Sequence, residues 1–237
     1  MSDERRAQLA ESLAAVEARV ERACAAAGRA RDEVRLLAVT KTFPAEDAAL
    51  LTDLGLTDLA ENRDQEAAAK AADVARLRPD AKVRWHMVGR LQRNKARSVA
   101  AWAAEVQSVD SLRLAEALAK ATLEREVPLD VLLQASLDGD PGRGGCPLPE
   151  LAQLADRVAR AGGLRLRGLM AVAPLGADPA AAFETLAGAA ERLRKRHPGA
   201  TEISAGMSGD LETAITHGST CVRVGTALLG GRGLASP

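Results

Sequence analysis

Lys41 stands directly behind the apolar run Leu36-Leu37-Ala38-Val39-Thr40, where a strand gives way to a loop. An amine held there is partly withdrawn from water, which disfavours the ammonium form, and a neutral amine is the nucleophile that condenses with an aldehyde. Taken alone, Lys41 reads as an ordinary solvated residue of a strand-to-helix turn, so the case for chemistry rests on two later fragments. In Met207-Ser208-Gly209-Asp210-Leu211-Glu212 an apolar strand ends and a helical stretch begins. Ser208 fits a helix N-cap there, its hydroxyl and neighbouring N–H groups pointing at one place where an anion is favoured; a plain capped helix has the same signature. In Arg223-Val224-Gly225-Thr226 the glycine lets backbone approach a ligand and the threonine offers a hydroxyl, although a surface arginine before a strand-ending turn reads the same. Alternation along a strand turns Arg223 and Gly225 to one side.

Position is what joins the three. Short β-branched or apolar runs alternate with Ala-rich, charge-dotted helical stretches, the pattern of βα units around a parallel sheet. The strands are expected at RLLAVTK from Arg35, DLAEN from Asp58, WHMVGR from Trp85, EVQSVD from Glu105, LDVLLQAS from Leu129, LRLRGLMA from Leu164, EISAGM from Glu202 and CVRVGTAL from Cys221. Eight strands favour a closed (β/α)8 TIM-type barrel over a smaller open sheet. Barrels frequently grip phosphate with the loops after strands seven and eight, and in a closed ring strand one lies beside them. A phosphorylated aldehyde is the ligand that would use both the amine and the cradle.

An extra N-terminal helix precedes the barrel. Leu9, Leu13, Val16 and Val20 recur at helical spacing, with Ser2 as an N-cap and Gly28 at the end. The expectation is one domain over residues 1–237, with residues 1–28 packed on the barrel; such barrels run to roughly 250 residues. The cluster GDPGRGGCPLP from Asp138 to Pro149 follows the fifth strand on the ligand-bearing face, as a lid or rim loop or as a plain flexible connection.

Composition narrows the partners. Lys plus Arg equals Asp plus Glu at 32 each, so no global field favours nucleic acid or anionic lipid. With two Phe, two Trp and no Tyr, the chain lacks a stacking surface for bases and any tyrosine to act as acid or base. The N-terminus is charged from its third residue and no uninterrupted apolar span follows, so a cytoplasmic protein is expected. Cys24, Cys146 and Cys221 show no paired metal or redox spacing and read as buried bystanders; no metal is expected.

The motifs LLAVTKTFP, AENRDQE, WHMVGRLQRNK, QSVDSLRLAEAL, LRLRGLMAVAP and SAGMSGDLETAITHGSTCVRVGTALLG, in this order from about Leu36 to Gly230, resemble the YggS/PROSC family of pyridoxal 5′-phosphate (PLP)-binding homeostasis proteins. The resemblance implies the alanine-racemase-type barrel, fold type III, with PLP bound as an internal aldimine. Carried over by position, Lys41 resembles the aldimine lysine, Ser208, Gly225 and Thr226 the phosphate ligands, and Arg223 the partner of the pyridine nitrogen. A guanidinium only donates, so it would keep that nitrogen unprotonated and the cofactor a weaker electron sink. Asn62, Ser204 and Met207 match cofactor-pocket positions. His86 and Asn94 lie in a family motif without an assigned contact, and a hydrogen-bonded histidine at the barrel mouth is the reading for His86. The chain departs from the family at Ala60, Arg63 and Asp64, where GENYVQE is common, and in SLDGDPGRGGCP, where a lysine followed by Gly is usual. Charge thus replaces an aromatic at the rim.

Two classes of function follow. A PLP carrier or buffer, monomeric and handing its cofactor to PLP-dependent apoenzymes, needs no catalytic residue. A fold type III enzyme such as an amino-acid racemase needs a second acid/base, usually a tyrosine from an added β domain of the partner subunit. This chain has no tyrosine and ends soon after the eighth strand, which puts the racemase second; single-base chemistry on Lys41 stays open. A Schiff-base aldolase for a phosphorylated sugar comes last, because it gives Arg223 no role.

Overall fold

The computed structural model describes residues 2–140 and 142–231. Eight strands carry the architecture: β1 Arg35–Val39, β2 Asp58–Glu61, β3 Arg84–Met87, β4 Glu105–Val109, β5 Leu129–Ser136, β6 Leu164–Met170, β7 Glu202–Ser204 and β8 Cys221–Val224. Each pairs in parallel with its sequence neighbours, and β8 returns to β1 with Leu37 opposite Arg223, closing a (β/α)8 barrel. Around it lie α1 Ser2–Ala26, α2 Ala45–Asp53, α3 Asp64–Leu77, α4 Ala96–Trp102, α5 Leu112–Ala121, α6 Leu151–Ala159, α7 Pro179–Arg196, α8 Leu211–Thr216 and α9 Thr226–Leu229.

All eight expected strands are present, and only β3 starts elsewhere, one residue early at Arg84. The carboxyl ends are corrected: the strands from Arg35, Asp58, Glu105 and Leu164 stop one or two residues short of the expected runs, and those from Arg84 and Glu202 stop three short, at Met87 and Ser204. The last strand stops at Val224 instead of running through TAL, because Gly225 turns the chain and Thr226 opens α9. Helix α1 buries Leu9, Val16 and Val20 and ends as expected at Gly28, whose φ of +66° is the left-handed conformation a helix C-terminus favours. Ser2 is its first residue; the Ser2 side chain lies outside the described residues. Arg5 ties α1 to Asp47 at 2.7 Å and to the Leu229 carbonyl at 3.0 Å. Arg19 donates to the Ser208 carbonyl at 3.1 Å, so the extra helix is tied to the segments that follow β1, β7 and β8.

Two faces of each strand see different surroundings. Outward residues such as Leu36, Ala38, Leu59, Trp85, Val222 and Val224 pack under the helices in one apolar cluster. Inside, the apolar cluster near β1 and β8 is small: Leu37, Ala60 and Cys221, with Val39 and Val88 against it. Charge fills the end of the barrel from which the strands start. Arg35 reaches Asp58 at 3.2 Å, Glu105 at 3.3 Å and Glu202 at 2.9 Å, while Arg84 reaches Glu105 at 2.8 Å and Asp130 at 2.5 Å. Buried carboxylates are tolerated when each is matched by a cation and hydrogen bonds, and here the two signs interleave around the ring.

Candidate functional site

Lys41 leaves β1 at the opposite, carboxyl end of the barrel. The residue before it is held unusually firmly. Thr40 is fully buried; its N–H donates to the Ala60 carbonyl at 3.0 Å, its hydroxyl to Glu61 Oε1 at 2.6 Å, and its carbonyl accepts from Lys70 Nζ at 2.7 Å. Lys70, on α3, also donates to Glu61 Oε1 at 2.5 Å. This pair lies behind the barrel wall, at a carboxylate that is 0% exposed. On the other side of Lys41 the chain turns sharply: Thr42 has φ +69°, the one non-glycine residue at positive φ among the described residues. Such backbone costs on the order of 1–3 kcal/mol and persists where its surroundings hold it. Lys41 itself is half-buried, and among the described residues no carboxylate pairs with its amine.

Beside it, across the β8–β1 seam, lie Gly225 and Thr226. A Cβ on Gly225 would sit 3.2 Å from the Val39 carbonyl, so glycine permits the close approach of the two backbones. Ser208 is not the N-cap of α8. Asp210 occupies that position, and its carboxylate takes the Met207 N–H at 2.6 Å, which sets the loop two residues longer than the motif suggests. The Ser208 hydroxyl instead accepts from Ala227 N–H at 3.3 Å, in the first turn of α9. That contact draws the loops after β7 and β8 into one rim. Among the described residues the N–H groups of Ser208, Gly209, Gly225 and Thr226 have no acceptor. Four free donors converging from two loops suit a dianionic phosphate.

Arg223 is 4% exposed. It donates to the Ser204 carbonyl at 2.8 Å, the Ser204 hydroxyl at 2.7 Å and the Ala171 carbonyl at 2.8 Å. Burial lowers its pKa from the usual value, opposed by Cys221 and Asp210. Ser204 is therefore not an open pocket hydroxyl: it accepts from Arg223 and donates its proton to Gln107 Oε1 at 2.6 Å. Gln107 Nε2 in turn donates to Glu105 Oε1 at 2.8 Å. Burial alone would raise the Glu105 pKa, but His86, Arg35 and Arg84 outweigh it and hold the carboxyl well below the usual range.

His86 is hydrogen-bonded as expected, but not at the mouth. Its ring is turned toward the charged end, with Nε2 2.7 Å from Asp58 Oδ1 and Nδ1 3.1 Å from Glu105 Oε1. Asn62 follows β2 and lines an open cleft of about 520 Å³ with Arg63, Arg90 and Lys95. Gly89 backs it so closely that a Cβ there would lie 2.1 Å from the Asn62 carbonyl oxygen. Met207 stands at the rim, 40% exposed. Of the three departures in the AENRDQE motif, only Arg63 reaches the rim, paired with Glu66 at 2.9 Å. Ala60 faces the small interior cluster. Asp64 is buried against Ser98 at 2.9 Å and Trp102 at 3.0 Å. The Gly-rich loop is strapped down: Cys146 and Pro147 pair with the end of β5, and Arg143 donates to the Val172 and Ala173 carbonyls at 3.2 and 2.8 Å.

The structure thus brings Lys41, Ser208, Arg223, Gly225 and Thr226 to one seam, sets Asn62 just after β2, and puts Ser204 behind Arg223. Sequence reasoning missed Glu61, Lys70, Glu105 and Gln107. For the last two a signal existed, two polar residues at alternate positions of EVQSVD, which faces both into the barrel. The three cysteines are free and buried, with burial pushing the Cys146 thiol up to about 11. Among the described residues no cluster suits a metal ion, and no helix is long and apolar enough to cross a membrane.

Comparison with known proteins agrees with this geometry. The family model for the alanine racemase N-terminal domain matches residues 12–233. The pyridoxal phosphate homeostasis protein of Mycobacterium tuberculosis H37Rv is 47% identical over 249 residues, covering 99% of this chain and 96% of the relative. That of Escherichia coli K12 is 38% identical, covering 94% and 97%. PipY of Synechococcus elongatus PCC7942, solved with PLP bound, superposes with a TM-score of 0.79 at 34% identity, over 94% of this chain and 100% of PipY. With full-length likeness to these relatives and the same barrel, the chain belongs to the pyridoxal phosphate homeostasis protein family, within the alanine racemase N-terminal-domain fold.

Proposed function

We propose that this chain carries PLP on Lys41 and serves PLP homeostasis, buffering the cofactor and handing it to PLP-dependent apoenzymes, with no robust catalysis of its own. The observation that carries the reading is the seam: the one unpaired, half-buried lysine at the end of β1 lies next to four free N–H donors on the loops after β7 and β8. An amine beside an anion cradle suits a phosphorylated aldehyde, and PLP is the ligand bound in PipY. Bound there, PLP supplies an electrophilic aldehyde and an aromatic ring that withdraws electrons. Lys41 would hold it through the amine, the group that condenses with an aldehyde with loss of water. Ser208, Gly225 and Thr226 would hold the phosphate, Asn62 and Met207 would border the ring, and Arg223 would donate to the ring nitrogen without giving up its proton.

Neither a tyrosine nor a histidine stands at the described barrel mouth as a second acid/base. The chain has no tyrosine, His86 is locked at the far end between two carboxylates, and Arg223 keeps the ring a weak electron sink. These features favour a cofactor anchor over the racemase reading. We further take the protein to act as a monomer in the cytoplasm. The test is visible absorption of the purified protein with and without added PLP, then borohydride reduction and peptide mass analysis, against Lys41→Ala. PLP fixed to the Lys41 peptide supports the proposal; a wild type that takes up none sinks it. Racemase assays with free PLP subtracted separate the two classes, since steady turnover lost in Lys41→Ala would make the protein an enzyme.

A further inference from the structure

We infer that Gln107 and Glu105 are positioning residues for the cofactor ring, acting through Ser204 on Arg223; the inference rests on the proposed placement of PLP on Lys41. The chain of bonds has one direction. Arg223 donates to Ser204, Ser204 to Gln107, and Gln107 to Glu105, at 2.7, 2.6 and 2.8 Å. A guanidinium has no acceptor and a carboxylate no proton to give, so with these two at its ends the amide and hydroxyl between them have only one orientation. Every member is buried: Glu105, Gln107 and Ser204 at 0% and Arg223 at 4%. In so dry a setting each hydrogen bond polarises the next, and a network is worth more than its separate pairs.

The far end explains why the wire is stiff. Glu105 is gripped by Arg35 at 3.3 Å, Arg84 at 2.8 Å and His86 at 3.1 Å, so its oxygen is a fixed point on the barrel floor. Arg223 sits at the other end, the residue placed against the ring nitrogen. Its remaining donors are aimed by the three bonds it already makes, two to Ser204 and one to Ala171. Loosening the wire leaves a guanidinium that shares its time among several geometries. Water then reaches the ring nitrogen, which takes up a proton. A protonated ring draws electrons from the Lys41 nitrogen, which releases its own proton at lower pH.

The test follows the visible band of bound PLP against pH in wild type, Gln107→Leu, Ser204→Ala and the double variant, with Ser108→Ala as control. Ser108 is on the same strand and its buried hydroxyl has no partner. Cys221 and Asp210 are the other titratable groups facing Arg223, and Lys70 and Glu61 lie behind Lys41; all remain in every variant. The expected result is a midpoint lowered by roughly half a unit to one unit in each single variant. The double should move no further than the larger single, and the control should stay at the wild-type value. Folding is checked by circular dichroism, and Ser204→Ala, the smaller change, reports if Gln107→Leu fails to fold. Midpoints equal to wild type in folded variants overturn the inference, as do shifts that simply add in the double. A wild type with no visible band bound to Lys41 overturns the underlying placement as well, and that outcome is distinct.

Discussion

Replacing Lys70 by Met tests how Lys41 is held. The ammonium contributes two hydrogen bonds, to Glu61 Oε1 at 2.5 Å and to the Thr40 carbonyl at 2.7 Å. Glu61 is 0% exposed, and its other oxygen, Oε2, already has no partner. Removing the cation leaves a buried carboxylate with only the Thr40 hydroxyl to solvate it. Breaking a buried pair from one side costs about 3–5 kcal/mol, whereas removing both charges costs much less. We therefore expect Lys70→Met to lose about 3–5 kcal/mol, a fall in Tm of very roughly 6–20 °C for a chain of this size. Adding Glu61→Gln should recover about 1–2 kcal/mol or more of that loss. Urea denaturation followed by circular dichroism measures all four corners of the cycle. Because Thr40 immediately precedes Lys41, the surviving folded fraction of Lys70→Met should also take up PLP more slowly. A single variant within about 1 kcal/mol of wild type, or a double no better than the single, would refute the clamp.

Ser208→Ala removes both the hydroxyl proposed to donate to the phosphate and the acceptor for Ala227 N–H. PLP affinity in a spectral titration should fall roughly 10- to 100-fold, in line with a hydrogen bond to a charged group; unchanged affinity would remove Ser208 from the cradle. In Gly89→Ala the new Cβ meets backbone, the Asn62 carbonyl at 2.1 Å, which no rotamer relieves, so a loss of more than about 2 kcal/mol is expected together with weaker PLP binding; an unaltered melting curve would contradict it. Acid should destabilise the protein. Burial opposes ionisation of Glu105, Asp58 and Asp130, but their cationic partners prevail and lower all three pKa values. The unfolded chain therefore binds protons first, and the contribution of these groups is complete above about pH 5 and lost as pH falls through their folded values. Denaturation series between pH 7 and pH 3 should show this decline, and a flat profile would be incompatible with a charged floor.

The barrel was legible because its strands are short apolar runs with distinct ends, and seven of eight start where the pattern places them. The errors have local causes. Thr226-Ala227-Leu228 continues an apolar run, so the sequence offers no reason to stop at Val224; the stop comes from the turn at Gly225. Ser208 has the chemistry of an N-cap, but Asp210 two residues on competes for the same place and also captures Met207 N–H. The meeting of Lys41 with the loops after β7 and β8 was readable because each sits at a strand end, and a closed ring makes strands one and eight neighbours. Glu61 with Lys70 and Glu105 with Gln107 were not, since their partners are set by which way strands face and by contacts between strands far apart in the chain, such as Gln107 with Ser204.

These unread residues bear on the choice between anchor and enzyme. A barrel with so few aromatics cannot fill its interior with large rings, and here polar side chains take their place. Each is then obliged to find a partner, because an unmatched buried charge would cost several kcal/mol. The obligation leads along two lines, Lys70–Glu61–Thr40 to the backbone before Lys41 and Glu105–Gln107–Ser204 to Arg223. Both lines end on groups that the proposed function sets against PLP, and both spend their titratable members on holding. A catalyst working on two faces of the cofactor needs a titratable group left free to exchange its proton; in this interior the acids are paired and the one histidine on a barrel strand is fixed between Asp58 and Glu105. On the proposed placement of PLP, the same bonds that hold its two attachment points rigid are thus the reason that the site would favour keeping the cofactor over turning a substrate over.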